Sequence, residues 1–386
     1  MNEPAALSIG VYTSSPSPHF NPLVLSWLGL GCEVHVVFAT EKRSSRRWKA
    51  PSLPESVVSY VRHGSGSPRW QSPVRAFKVT RKLLQRTDVW VLSGSYADLP
   101  FLGAFLAVRL SRKPFVFWGE RPSRTTSRLK RTFRSLVLRE LARSATCVWS
   151  PSTLGAAAYE ALGAKKGLVV PYPLDASPLD ARAVDSVQCG ACVELLVVGS
   201  IDERKRPALA LDVARELRRR GVDFRMRFVG TGPLLKRVAA AARDLPIEFL
   251  GQRARDEVRQ LMRSSHILLH CSREDGWGMV VAEAAASGMG VVGSEWTDSV
   301  IDLRALGETI CTPTRDDAVA FAEGVVAVWE AMRSAEGPAL LVRVATAVEA
   351  RCGSAVVARR TRACVAAVAS VTGAREKPAD EGVGGP

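Results

Sequence analysis

Two carboxylates eight residues apart, Asp275 and Glu283, bracket a turn made of Gly276, Trp277 and Gly278, and an apolar run at 267–270 leads into it. A buried strand that enters a glycine-bearing turn ahead of a helix leaves backbone N–H groups unpaired at the positive end of the helix dipole, a place for phosphate or hydroxyl oxygens. The glycines let backbone and ligand approach closely. Glu283 stands about two helical turns beyond Asp275, so both carboxylates can face one cleft without touching. Each can accept hydrogen bonds from the vicinal hydroxyls of a sugar or a ribose. The same residue types also suit a helix N-cap Asp and a surface Glu.

Two further turns repeat the arrangement. Val197-Val198-Gly199-Ser200-Ile201-Asp202-Glu203-Arg204-Lys205-Arg206-Pro207 sets a basic cluster after a strand-like run, where Lys205, supported by Arg204, could neutralise a diphosphate. A solvated helix start is the other reading. In the third, Val229-Gly230-Thr231-Gly232-Pro233, the glycines Gly230 and Gly232 form either a phosphate-facing turn or a tight bend.

The elements that must carry these turns read as α/β. Apolar strand-like runs at 7–12, 34–38, 89–92, 114–118, 147–149 and 168–171 alternate with helical stretches at 21–30, 73–86 and 124–143. After a stretch rich in Pro, Asp, Ser and Ala, the alternation resumes: strands at 195–198, 225–229, 248–250, 267–270 and 290–292, with helices at 207–219, 234–243, 255–263 and after Trp277. The expected organisation is an N-terminal Rossmann-like domain at 1–175, a linker at 176–192, a C-terminal Rossmann-like domain at 193–350, a helix at 351–372 that can pack back on the first domain, and a disordered tail at 373–386. One helical region is expected over about 342–371. Two such domains leave a cleft between them, faced by strand C-terminal ends and helix N-termini.

In ordered series, the three turns together with Phe249-Leu250-Gly251 and the segment Ala282 to Gly288 resemble the C-terminal domain of the retaining glycosyltransferases of family 4, closely over 195–292. The resemblance implies the GT-B fold and transfer of a hexosyl-type sugar from a nucleotide-sugar to an acceptor with retention of anomeric configuration. In that family a first acid lies near the sugar ring, a second binds ribose, and Lys and Arg hold the diphosphate. Those positions fall on Asp275, Glu283 and Lys205. Asp275 stands where Glu is usual. The family's Arg after the first glycine is Ser200 here and its glycine after Lys is Arg206, so Arg204 or Arg206 would supply the missing charge.

The N-terminal half resembles the family more loosely, through Ser93-Gly94-Ser95-Tyr96, the run from Lys113 to Pro122, and Val170-Pro171-Tyr172. Many members carry a catalytic-site His where this chain has Trp118-Gly119-Glu120. Glu120 is the replacement candidate for catalysis, beside Asp275, and is equally a structural partner for a nearby Arg. His19, Trp118 and Arg121 are the acceptor-side candidates. No Asp-x-Asp closes a strand, so no metal and no cofactor is expected, and charge neutralisation falls to Lys, Arg and helix N-termini.

Composition narrows the rest. With 386 residues, 47% hydrophobic and 24% charged, the chain is expected to fold as a globular protein of two domains. Charged residues interrupt every apolar run before spanning length, and no basic start with an apolar core opens the chain, so a cytoplasmic protein is expected. The eight Cys lie mostly in apolar segments as reduced thiols. Cys189 and Cys192 alone form a C-x-x-C, without the second pair that zinc needs.

The formal charge of +15 rests mainly on Arg and is spread through both halves without a nucleic-acid signature, so nucleic acid is not an expected partner. Basic runs at 42–49 and 124–143 open the alternative of peripheral contact with an anionic membrane on its inner face, beside a lipid-linked or glycan acceptor in cell-surface assembly. An ordinary core-packed helix with a solvated face explains the second run as well. Two rival functions are a natural-product glycosyltransferase with a soluble small-molecule acceptor and a non-catalytic sugar-nucleotide-binding protein of the same fold.

Overall fold

The computed structural model describes residues 6–17, 19–40, 50–61, 72–94, 98–122, 128–174 and 192–371. The expected linker up to residue 191, the tail at 373–386 and the basic run at 42–49 lie outside them.

The first sheet is built from β1 (Ser8–Thr13), β2 (Glu33–Phe38), β3 (Val58–Tyr60), β4 (Val89–Ser93), β5 (Phe115–Trp118), β6 (Cys147–Ser150) and β7 (Gly167–Val169). Their order is β3-β2-β1-β4-β5-β6-β7, all parallel. Every residue of β1, β5 and β6 is buried, which is why they carry no charged residue: helices cover both faces. Helix α1 (Phe20–Gly29) lies on one face; α2 (Ser72–Leu83), α3 (Leu99–Leu110), α4 (Arg128–Ser144) and α5 (Thr153–Ala161) belong to the other face's layer.

The second sheet comprises β8 (Val193–Val198), β9 (Phe224–Val229), β10 (Ile247–Gly251), β11 (Ile267–His270), β12 (Gly290–Gly293) and β13 (Ile310–Cys311), in the order β10-β9-β8-β11-β12-β13 and again all parallel. Its helices are α6 (Pro207–Arg219), α7 (Leu235–Ala241), α8 (Arg255–Arg263), α9 (Met279–Ala286), α10 (Asp298–Leu303) and α11 (Ala318–Arg333). In both sheets the strand order reverses beside the first strand, between β1 and β4 and between β8 and β11. Ligand crevices form outside the strand ends at such points.

The single C-terminal helical region expected is two helices, α12 (Gly337–Cys352) and α13 (Ser354–Val371). Gly353 divides them by adopting extended backbone and pairing with Leu174. Leu174 N–H donates to Cys352 O at 2.7 Å and Ser354 N–H to Leu174 O at 2.9 Å. A side chain at Gly353 would press on the Glu349 carbonyl. From there α13 packs on the N-terminal sheet, burying Val357, Val365 and Val368 in that core. Trp27 Nε1 donates to Thr361 Oγ1 at 3.0 Å.

A second seam joins the halves beside the cleft. Asp298, fully buried at the start of α10, accepts from Ser152 Oγ at 2.6 Å and pairs with Arg121 at 2.9 Å. Thr153 N–H donates to Asp302 at 2.9 Å, and Arg351 reaches the same carboxylate at 3.3 Å. Among the described residues no helix is long and apolar enough to cross a membrane.

Candidate active site

The C-terminal switch point brings two of the sequence-selected turns into contact. The turn after β8 carries Arg204 and Lys205, and the turn after β11 carries Asp275. Lys205 Nζ lies 2.5 Å from Asp275 Oδ2, and Arg204 lies 3.1 Å from Oδ1. The backbones are tied as well: Arg273 N–H donates to Arg204 O at 2.8 Å, and the Arg204 guanidinium donates to Glu274 O at 3.0 Å.

His270, the last residue of β11, closes the cluster from below with Nε2 3.2 Å from Asp275. Burial, then the Lys205 charge, keeps the His270 ring below its ordinary range and therefore neutral near pH 7. Burial alone would raise the Asp275 carboxyl, but His270 and Lys205 together hold it well below the usual carboxylate range. Burial lowers the Lys205 ammonium while Asp275 works against that shift. Two cations thus face one firmly ionised carboxylate, and both could turn to a diphosphate placed beside them.

Glycine shapes these turns differently from the sequence expectation that it admits a ligand. A side chain at Gly230 would overlap the Gly199 carbonyl, and one at Gly232 the Ile201 carbonyl. At Gly199 a Cβ would meet the Lys205 stem at 3.1 Å; at Gly278 it would strike Thr297, and at Gly276 the Glu120 carboxylate. The glycines let one protein segment press on another: Gly230 and Gly232 bring the turn after β9 onto the turn after β8, and Gly276 brings the turn after β11 onto Glu120.

Glu120 reaches that last turn from the N-terminal domain. Standing two residues past β5, it accepts from the Trp277 backbone N–H and pairs with the Tyr172 hydroxyl, while its own carbonyl accepts from Tyr159 Oη at 2.8 Å. Burial, reinforced by the Asp275 charge, raises its carboxyl above the ordinary range. Both alternatives for Glu120 meet here: it faces Asp275 across the cleft, and its partners are Tyr172 and a backbone amide rather than an Arg.

Glu283 stands apart from Asp275, on α9, with Oε1 3.5 Å from Arg255 at the start of α8. Burial raises its carboxyl, and Arg255 and Arg259 oppose the rise.

Several expected cleft residues lie elsewhere. Trp118 is a core residue, 1% exposed and packed between Phe20, Trp149 and Tyr172, because β5 is buried on both faces to its end. It does not face an acceptor. The Trp277 ring is likewise inside the C-terminal core, so its contribution to the turn is its backbone N–H. Arg121 is committed to Asp298. His19 stands just before α1, at the C-terminal edge of β1.

Arg206 does not supply the charge that Ser200 lacks: both its terminal nitrogens bind Asp316, at 2.7 and 2.6 Å, and its Nε donates to Cys271 O at 2.6 Å. Arg204, not Arg206, is the cation that joins Lys205 at Asp275. Ser200 instead donates to Asp202 at 2.7 Å, which caps the turn by accepting from Lys205 N–H. Sequence reasoning missed His270, although a polar residue closing an apolar parallel strand at the turn was a usable signal. It also missed Arg255, Ser152 and Asp298.

Comparison with known proteins follows the same division of the chain. Residues 193–331 match the family described as "Glycosyl transferases group 1" and residues 16–174 the "Glycosyl transferase 4-like domain". A GDP-mannose-dependent alpha-(1-6)-phosphatidylinositol dimannoside mannosyltransferase of Mycobacterium tuberculosis is 26% identical over 170 residues, 42% of this chain and 44% of that protein. A putative glycosyltransferase EpsF of Bacillus subtilis is 29% identical over 120 residues, 29% of this chain and 31% of that one. The matches thus span less than half the length of these curated relatives.

Among solved structures, Anabaena HepE in complex with UDP and glucose covers 94% of this chain and 100% of its own, with a TM-score of 0.66 at 14% identity. Sucrose-phosphate synthase from Thermosynechococcus elongatus covers 95% and 100%, with a TM-score of 0.68 at 15% identity. Two parallel doubly wound sheets, a basic turn set against an acidic one at the second switch point, and these two family matches, which together span most of the chain, give it the GT-B fold and place it among the group 1 glycosyltransferases.

Proposed function

We propose that the C-terminal half holds a nucleotide-sugar donor and that a hexosyl-type sugar passes from it to an acceptor on the N-terminal half with retention of configuration. The observation that carries this reading is the contact of Lys205 and Arg204 with Asp275 across the switch point. In the proposed complex, Lys205 and Arg204 bind the diphosphate, Glu283 accepts from the ribose hydroxyls, and the turn from Gly276 to Gly278 meets the sugar. Asp275, firmly ionised, is unsuited to donate a proton; it anchors Lys205 and accepts from sugar hydroxyls.

The bond between the anomeric carbon and the leaving phosphate oxygen breaks as the acceptor oxygen bonds to that carbon on the same face, and the acceptor's proton passes to the departing phosphate. Cations placed where charge develops on the leaving group supply much of the stabilisation. Closure of the halves would align reactants and exclude water. Glu120, with its raised carboxyl at the far wall, is proposed to hold a sugar hydroxyl where the family's His stands. Neutralisation by Lys205 and Arg204 alone is proposed to suffice without metal. Activity unaltered by EDTA supports this, and loss restored by Mg²⁺ or Mn²⁺ contradicts it.

On the acceptor side, Leu106 and Leu110 of α3 and Leu136 of α4 are exposed, at 49%, 65% and 59%, beside Arg109 and Arg139. Exposed leucines on two helices that also carry Arg139 and the Glu140-paired Arg109 suit an anionic membrane surface on its inner face, and with it a lipid-linked or glycan acceptor in cell-surface polysaccharide or glycolipid assembly.

UDP-, GDP-, ADP- and dTDP-sugars should be offered to the wild type and to Lys205→Ala and Glu283→Ala, with nucleotide release and thermal shift as readouts. GDP-mannose is the first to try, for the name of the mycobacterial relative. Response to one donor, lost in both variants, supports the reading; no response to any donor would sink it. Product anomer analysis tests retention. Co-sedimentation with phosphatidylglycerol but not phosphatidylcholine vesicles tests the membrane, and its failure favours a soluble small-molecule acceptor.

A further inference from the structure

We infer that Arg255 is a positioning residue for the donor's ribose, acting through Glu283. The inference rests on the proposed donor site.

Arg255 is the first residue of α8, at the positive end of the helix dipole, where a cation is disfavoured. Its neighbours Asp256 and Glu257 are the residue types that suit such a place. Glu257 fills the local role by accepting from Ala254 N–H at 2.8 Å. Arg255 turns away from its own helix to Glu283 on α9, its terminal nitrogen 3.5 Å from Oε1, with the two side chains 23% and 20% exposed. Its Nε is buried without a hydrogen-bond partner. A cation held at the unfavourable end of a helix, with a donor unsatisfied, is costly unless its anionic neighbour needs it.

Glu283 does need it. Two vicinal hydroxyls are best held by an ionised carboxylate fixed in one rotamer, and burial works against the ionised form. The charged groups acting on Glu283 are Arg255 and, one turn further along α8, Arg259, which also lies 3.6 Å from Asp256. Arg255 is in contact with Glu283 through Oε1. The consequence is selection for ribose over deoxyribose.

The test is calorimetric titration of UDP, GDP and their 2′-deoxy counterparts into the full chain between pH 5 and 8, using the base that the wild type binds more tightly. The wild type should prefer the ribonucleotide by about tenfold, the scale of one hydrogen bond to a charged group. Glu283→Ala should erase that preference. Arg255→Gln should reduce it severalfold and shift the acid loss of affinity to higher pH, because a Glu283 stripped of its cation takes up a proton sooner. Arg255→Lys should restore part of the preference.

On the Glu283→Ala background Arg255→Gln should add nothing, a result that general loosening of the fold would not give. An unchanged ribose preference and pH profile in Arg255→Gln, with the preference lost in Glu283→Ala, overturns the inference alone. A preference that survives Glu283→Ala overturns the donor site itself. If Arg255→Gln melts early, Arg255→Lys and Arg255→Met decide: a preference kept at least in part by Lys and reduced further by Met supports the positioning role, and equal preferences in the two overturn it.

Discussion

The two sheets reverse strand order at the same place, between β1 and β4 in one and between β8 and β11 in the other, yet their switch points differ in chemistry. At the second, the turns carry Arg204, Lys205 and Asp275 within ion-pair distance, and Gly230 and Gly232 let the turn after β9 press on the turn after β8. At the first, the neighbouring strand β5 ends in buried Trp118 and delivers one carboxylate, Glu120, whose amide partner belongs to the opposite domain. One topology thus carries a cluster of cations on a carboxylate at one switch point and, beside the other, a carboxylate held by a backbone amide of the opposite domain. The fold supplies a place outside the strand ends, and the turn residues decide what binds there.

The sharpest way to break that contrast is to remove the cation that lies closest to Asp275. Lys205→Ala should lower kcat/KM for the donor by about 10²- to 10³-fold, the scale of deleting one group aimed at developing charge. Folding should persist, since Asp275 keeps Arg204 and His270. Initial rates with the responding donor, beside a thermal melt, check both points. If the rate falls by less than about threefold, the basic turn is structural and the contrast between the switch points carries no chemistry.

Acid should expose the same asymmetry in stability. In the C-terminal half His266 stacks on Trp329 at 4.7 Å and accepts from Glu194 N–H at 3.0 Å. Burial, then Arg227, pushes its pKa down to about 4. The unfolded chain takes up this proton near its ordinary pKa of about 6.5 and the folded chain does not, so stability falls from about pH 6.5 to about 4 and levels below. The integrated loss is about 3 kcal/mol. Buried His270 acts in the same direction. Urea midpoints at pH 7 and 4.5 should separate widely for the wild type and less for His266→Asn; equal separations refute the assignment.

How far these switch points were legible in the chain follows from the range of the forces that form them. Helices 207–219 and 255–263 and strand 267–270 fall where the apolar periodicity sets them. The run 99–110, apolar on nearly every side, has no helical stripe to read, and β3 is only three residues long. The pairing of Lys205 with Asp275 was within reach of motif order alone. Asp298 with Ser152 was not, since 146 residues separate partners that only the docking of the halves brings together. Nor was the burial of Trp118, which depends on Tyr172 and Trp149 closing over it.

That docking seam gives a smaller, separable effect. Asp298→Asn keeps the shape but removes the charge that Arg121 faces at 2.9 Å. Arg121, 34% exposed, retains access to water, so the cost should be about 1 to 2 kcal/mol rather than that of a fully buried orphan. For a chain of this length that means a fall in Tm of a few degrees. Affinity for the nucleoside diphosphate should stay unchanged, because the Asp298 side chain touches neither Lys205 nor Glu283 and its backbone N–H keeps its bond to Gly276 O at 3.3 Å. A loss of nucleotide binding in Asp298→Asn would mean that the two switch points are not independent.

The smallest effect isolates why Arg206 departs from the family's glycine. Arg206 sits in the left-handed region at φ 48°, ψ 57°, directly before Pro207, which itself disfavours the right-handed helical conformation for the preceding residue. A non-glycine residue there costs about 1 kcal/mol or more. The bidentate pair with Asp316 and the bond to the Cys271 carbonyl offset that strain. Arg206→Gly relieves the backbone while losing these contacts, so the net change should stay within about 1 kcal/mol. Arg206→Ala loses the same contacts without relief and should be less stable than Arg206→Gly by about 1 kcal/mol. Chemical denaturation of the pair measures the backbone contribution directly. If Ala and Gly are equal in stability, the turn has relaxed out of its left-handed geometry, and Lys205, one residue before it, would then show the change as weaker donor binding in both variants.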